Sequence, residues 1–288
     1  MLKKALYWIE QTGMYTVLLI FALVVAIPYL FMVSGSFKTN DEIFSPVFNL
    51  IPKAPTLRGY QSILGGSTNT LFAREEIPFL RQFGNSVFVS VVTTALVLLT
   101  SSLVGWGFSK YQFRGKKFLF LFMIATMTLP FQVTIVPMFL LMNQLGWLNT
   151  YLALILPAAT SAFGCFLMRQ QFLNIPNELL DAARIDGASE FYIYRAVGLP
   201  LVKGGLNILG LLQFVGVWND YLWPSVVLQT VEKFTVPLGL AAMKAHIHTS
   251  NYDRMFAGGV LLSIPVLLVL IAGGKSLINN LNMGALKG

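Results

Sequence analysis

A few places in this sequence carry residue types that could do chemistry. Gly273-Gly274-Lys275-Ser276 has the glycine, lysine and hydroxyl of a phosphate-cradling loop. That loop also demands glycine where Val269 stands and a strand before it, whereas an apolar helical stretch leads into Lys275. Lys275 therefore reads as an anchor at a membrane interface, and no ATP site is expected on the chain. His246 and His248, two positions apart, lack the cysteine or carboxylate pair that would complete a metal site, so they read as loop histidines. Asp220 is the one acid well inside an apolar run, beside Trp218, Asn219 and Tyr221. An intramembrane charge marks a functional site by default. Asp220 could line a polar cavity, or it could satisfy backbone groups at a helix break before Pro224. A proton relay would need ionisable partners in other apolar runs, which offer almost none. The remaining place is a polar segment, 173–203, where Glu178, Asp181, Asp186 and Glu190 interleave with Arg184 and Arg195.

The elements that must hold these residues follow from composition. The chain is 56% hydrophobic and 11% charged, against roughly 25% charged in soluble domains. A helix needs about 20 mostly apolar residues to cross a bilayer. Six runs qualify, at about 14–37, 85–108, 118–141, 151–172, 206–228 and 256–278, within a single transmembrane domain over 1–288. The net charge of +8 is no nucleic-acid footprint, because the basic residues sit in short clusters between apolar runs. Cys165 is the only cysteine and sits in an apolar run, which excludes an intrachain disulfide. Lys3 and Lys4 precede an apolar run with no small-residue cleavage site, which reads as a retained first span rather than a signal peptide.

Short cytoplasmic loops carry the excess of Lys and Arg. The link after the second run holds Lys110, Arg114, Lys116 and Lys117 without an acid, while 142–150 has no charge. The first link is therefore expected inside and the second outside. Alternation puts both termini and the polar segment 173–203 in the cytoplasm. Pro176 suits a helix start, Glu178 and Asp181 favour its positive end, and Gly187 can stop it. Ser189 permits a second start, which Pro200 is expected to end. Leu179, Leu180 and Ala183, then Phe191, Tyr194 and Val197, recur at helical spacing and give each short helix an apolar face. Such a loop reads as a docking element, not as a catalytic one.

Asp181-Ala182-Ala183, then Gly187, Val197, Leu199 and Pro200, match in spacing the E-A-A-x3-G-x9-I-x-L-P loop of ABC importer permeases. Asp181 stands where that family has Glu, and Val197 where it has Ile. Trp218-Asn219-Asp220-Tyr221 with Pro224 resembles the W-N-D signature of the carbohydrate-type permeases, the group of the maltose system's smaller permease. The stretch 129–157 and the ending Gly284-Ala285-Leu286-Lys287-Gly288 resemble the same group. The resemblance implies an all-α integral membrane protein of the type-I importer fold in a bacterial or archaeal cell membrane. It implies a second homologous permease as heterodimer partner, two ATPase subunits that bind ATP and Mg, and an extracytoplasmic solute-binding protein. No cofactor is expected on this chain. Glu178, Asp181, Ala182, Ala183, Asp186, Gly187, Glu190, Val197, Leu199 and Pro200 would couple to the ATPase, Ala182 and Ala183 by permitting close approach. Trp218, Asn219, Asp220 and Tyr221 would border the pathway.

The cargo implied is a sugar or oligosaccharide, with a sugar phosphate or polyol as the alternative. A secondary transporter would show internal repeats and ion-coupling acids. A membrane enzyme would need clustered His, Asp or Glu near one face. Neither pattern is present in the sequence.

Overall fold

The computed structural model describes every residue except Met1, Phe48, 66–77, 246–251 and 286–288. His246, His248 and the last residues of the chain therefore lie outside the described residues. All regular structure among the described residues is helical.

Helix α1 (Leu2–Gly35) holds the first expected span except for its last two residues, 36–37, which fall in the turn after it, and the short helices α2 (Asn40–Ile43) and α3 (Arg58–Leu64) follow. The second lies within α4 (Phe79–Lys110), whose 32 residues extend about 48 Å at the α-helical rise. That exceeds the roughly 30 Å of hydrocarbon, so α4 carries side chains well beyond the apolar layer.

The third run reads as continuous in sequence, yet it folds as α5 (Lys116–Thr126) and α6 (Phe131–Gln144), which meet at 99°. Pro130 caps α6 and has no N–H with which to prolong α5. The fourth run is likewise divided, into α7 (Leu152–Ile155) and α8 (Ala162–Leu173). Pro157 lies in the gap, and Ser161 restarts the helix by accepting the Gly164 N–H at 3.0 Å. The polar segment supplies α9 (Asn177–Ile185), α10 (Glu190–Ile193) and α11 (Leu199–Leu201). The fifth run becomes α12 (Lys203–Trp218) and α13 (Leu222–Val227). Two helices complete the chain, α14 (Val236–Ala245) and α15 (Tyr252–Ala285), the latter holding the sixth run.

The chain divides into two compact units. One comprises 1–79 and 240–263. In it Phe31 meets Phe256 edge-on at 5.8 Å, and the Ser36 hydroxyl lies 2.8 Å from that of Tyr60. The Lys38 ammonium, buried, donates to the Asn49 carbonyl.

The other unit comprises 80–239 and 264–288 and carries both candidate sites. Among the described residues it has two apolar cores strung along α4. Around Val89 pack Met142, Ala153, Leu154, Ile155, Trp223 and Val227. Around Trp106 pack Met168, Phe172, Leu180, Ile193, Tyr194 and Leu209. The two centres are separated by about 25 Å of helix. Gly105 lets α4 approach α8 closely: a Cβ there would stand 2.7 Å from that of Met168. Asn85 fixes the chain after α13 by donating to the carbonyls of Glu232 at 2.8 Å and Phe234 at 2.9 Å. In turn it accepts from the Tyr151 hydroxyl at 2.7 Å.

Candidate functional site

The polar segment is a built structure rather than a connecting strap. Helix α9 ends where the sequence places Gly187, which adopts φ +83. The Gly187 N–H donates to the Arg184 carbonyl and the Ala188 N–H to the Ala183 carbonyl, both at 3.0 Å. These are the two bonds of a Schellman cap, which requires a left-handed residue between them. Only glycine takes that conformation without a steric cost. Ala183 and Ala188 also pack against the Trp106 core, as the apolar contact of that cap should.

Ser189 then caps α10, accepting the Tyr192 N–H at 3.3 Å. The expected stop at Pro200 does not occur. The chain widens into a π-turn over Tyr194–Gly198 and continues through Pro200 to Leu201. The wide turn lets the Leu199 N–H reach back to the Tyr194 carbonyl. Proline clashes with the carbonyl four residues before it, and a π-turn at that point relieves the clash. The real break falls at Val202, after which α12 departs at 76°.

The inner face of the segment is anchored deeply. Leu180 is 1% exposed, Ile193 is fully buried, and the Tyr194 hydroxyl meets that of Ser102 on α4 at 2.7 Å. The Trp106 indole packs edge-on against Phe172 at 5.1 Å and, tilted, against Tyr194 at 5.7 Å. A Cβ at Gly198 would press on that indole at 2.7 Å. Val197 and Leu199 complete this wall.

The outer face differs from the one expected. Leu179 and Phe191 belong to it rather than to the buried face, and Phe191 is 66% exposed. Ile185, at 86%, and Tyr192 join them. The alanine pair also divides: Ala182 is exposed, while Ala183 packs on the chain's own core, so only Ala182 stands open to a neighbour. Pro200 is exposed, as are Glu178, Asp181 and Asp186.

The acids are organised by Arg184. Its guanidinium pairs with Asp181 at 2.6 Å and with Glu190 at 2.7 Å, tying α9 to α10 across the Gly187 turn. The bonds from Glu190, then Asp181, raise the guanidinium above its ordinary pKa, and Arg184 holds the Glu190 carboxyl below the usual carboxylate range. Tyr111 adds a hydrogen bond to Glu190 at 2.9 Å. Lys110 donates to the Ile175 carbonyl at 2.6 Å and to the Asn177 side chain at 3.1 Å. The basic link after α4 thus clasps the segment at two points. Sequence reading missed Tyr111, Ile185 and Tyr192. The charge excess around Lys110 pointed to topology and not to this contact.

The Trp218-Asn219-Asp220-Tyr221 group lies at a helix break, where Asp220 both meets a backbone N–H and borders a cavity. Trp218 is 1% exposed between Phe83 and Phe214. Asn219 ends α12, its amide donating to the Val215 carbonyl at 3.0 Å. Asp220 accepts the Trp223 N–H at 3.4 Å and so begins α13. Its side chain also borders a cavity of about 300 Å³ shared with Gln213, Ser161, Thr235 and Trp223. Tyr221 is exposed beside it. No group of three or more His, Cys, Asp or Glu able to hold a metal occurs among the described residues.

A family model described as "Binding-protein-dependent transport system inner membrane component" matches residues 98–281. The chain is 36% identical over 269 residues to the arabinooligosaccharides transport system permease protein AraQ of Halalkalibacterium halodurans, covering 93% of each chain. It is 32% identical over 276 residues to the lactose transport system permease protein LacG of Rhizobium radiobacter, covering 95% of each. Among solved structures it resembles a chain of a bacterial ABC transporter involved in the import of the acidic polysaccharide alginate. There the TM-score is 0.81 and the identity 25%, over 93% of this chain and 96% of that one.

Proposed function

This chain belongs to the family of binding-protein-dependent transport system inner membrane components, and from that premise we propose that it is a permease subunit of an ATP-driven sugar importer. It is a multi-pass membrane protein of the type-I importer permease fold and acts in translocation, not in catalysis. The relatives' names speak for a carbohydrate cargo, since arabino-oligosaccharides, lactose and alginate are all sugars. An external binding protein delivers the sugar. A second, related permease completes the pathway, and two ATPase subunits hydrolyse ATP on the cytoplasmic side, where both termini of this chain lie.

The observation that carries the coupling role is the two-sidedness of Asn177–Leu201. Its inner face is locked to α4 and α8 through Trp106, while Leu179, Ile185, Phe191 and Tyr192 stand exposed on a polar loop. Exposed apolar groups rimmed by charge mark a protein contact. An ATPase seated there would move α4, α8 and α12 as one body, because the loop has no slack against them. The helix break at Asn219–Tyr221 gives the sugar hydrogen-bonding groups at membrane depth, where unwound backbone is tolerated beside a cavity.

Cross-linking tests the docking reading. A cysteine at Ile185, in a chain with Cys165→Ala, should cross-link to the ATPase subunit in the assembled transporter, and one at Val133 on α6 should not. No cross-link from Ile185, Phe191 or Tyr192 would remove this loop as the docking element.

A further inference from the structure

The basic link and the end of α8 enclose an open cavity of about 760 Å³ that the transport reading does not use. Its polar wall is Gln112, Lys116, Lys117 and Arg169, and its apolar wall includes Phe113, Phe120 and Leu121. No acid lines it. Lys116 donates to the Tyr111 carbonyl at 2.7 Å and Arg169 to the Phe108 carbonyl at 3.3 Å. The Arg169 guanidinium also lies 4.1 Å from the Phe120 ring centroid. These contacts hold two cations in place without neutralising either. None of the three cations has an ion-pair partner among the described residues.

Three cations in one concavity, two of them held in place, repel one another and attract an anion. Lys116 and Lys117 also open α5, where the helix dipole is already positive and cations are disfavoured. The apolar wall continues along α5, where Phe118 is 70% and Leu121 63% exposed, on the stretch that enters the hydrocarbon. A cationic pocket at the water boundary whose wall runs on as an apolar helix face matches an amphiphile with an anionic head. We propose that this cavity binds the phosphate headgroup of an anionic phospholipid, with an acyl chain laid along Phe118 and Leu121. A free phosphate offers the same head chemistry but leaves the apolar extension empty. The proposal rests on the membrane reading alone and is independent of which solute the transporter carries.

The assembled transporter, extracted from vesicles of equal phosphatidylglycerol and phosphatidylcholine, is examined by native mass spectrometry for retained lipid. Wild type should keep phosphatidylglycerol over phosphatidylcholine, and each cation removed should lower that preference by about fivefold, from roughly 1 kcal/mol per basic residue near a membrane surface. Lys116→Gln with Arg169→Gln is the strong variant. Lys117→Gln removes a cation that makes no hydrogen bond among the described residues, so it leaves the fold intact if the pair does not. Equal preference in wild type and Lys117→Gln would overturn the proposal. So would displacement of the lipid by inorganic phosphate, which would assign the site to a free anion. Because the readout is bound lipid, failure here leaves the transport reading standing, and failure of transport leaves this one standing.

Discussion

Replacing Gly187 isolates the contribution of one dihedral angle to the coupling role proposed for this loop. The residue sits at φ +83, and a Cβ built there meets nothing within 4 Å. Crowding inside the chain is therefore absent, and the cost is conformational. The left-handed region costs an L-residue about 1 to 2 kcal/mol. Asparagine pays least because its short polar side chain visits that region routinely, and a β-branched residue pays most. If the turn relaxes instead, it forfeits the Gly187–Arg184 and Ala188–Ala183 bonds, each worth about 0.5 to 1.5 kcal/mol net. Both routes converge on about 1 to 3 kcal/mol, which shifts the fraction of correctly formed loops by roughly one to two powers of ten. The assay is uptake and substrate-stimulated ATP hydrolysis in reconstituted vesicles, for Gly187→Asn, Gly187→Ala and Gly187→Val. Both activities should fall together in that order, with binding of the loaded binding protein from outside unchanged. Asparagine as damaging as valine would show that an added side chain, not backbone angle, is at fault. Wild-type coupling in Gly187→Val would remove this turn from the mechanism.

Asp220→Asn keeps an acceptor for the Trp223 N–H, so assembly should persist while uptake changes; Asp220→Leu also loses the helix start and should lower the melting temperature by the equivalent of about 1 kcal/mol. Tyr111→Phe should weaken the clasp on α10 by about 0.5 to 1 kcal/mol, the low part of the hydrogen-bond range because solvent screens it, and should lower coupled hydrolysis without loss of the assembled complex. The Glu190 carboxyl is held below its ordinary value by Arg184, so the Arg184–Glu190 link is complete above about pH 4.3 and is lost as pH falls through the depressed value. Protection from hydrogen exchange over 177–193, taken relative to the intrinsic rate at each pH, should therefore fall at acid pH in wild type, and Glu190→Gln should show the lowered protection at every pH. For topology, a cysteine at Gln112 should react only with reagent admitted to the cytoplasm and one at Thr230 only with reagent outside; the reverse pattern would move the docking loop away from any ATPase.

Apolar runs, the basic link and the spacing around Gly187 were legible in the sequence, because each depends on local chemistry. The stop at Gly187 needed only a glycine between a helix and a serine cap. Span continuity was harder to read. Hydropathy averages over a proline, so 118–141 and 151–172 looked unbroken although Pro130 and Pro157 interrupt them. The division of the apolar loop residues into inner and outer faces also escaped, since Leu179 and Leu180 are chemically alike and only the position of Trp106 separates them. Pro200 misled for a related reason. Its effect depends on whether the preceding turn can widen, and that depends on Gly198 fitting under an indole.

That fit between Gly198 and Trp106 limits how freely the loop proposed to dock the ATPase can be exchanged between transporters. A graft of 177–201 from a relative would import its own outer face and, on the proposed docking role, its own ATPase preference. It would also have to seat on this chain's α4. A donor loop with alanine in place of Gly198 would lift the loop off the indole by the width of a methyl group. A donor loop shaped against a residue smaller than tryptophan would clash with the Trp106 indole. The loop and the C-terminal end of α4 thus pack as one module, although some ninety residues of sequence lie between Trp106 and Gly198. Chimeras that move both together should retain coupling where loop-only grafts lose it.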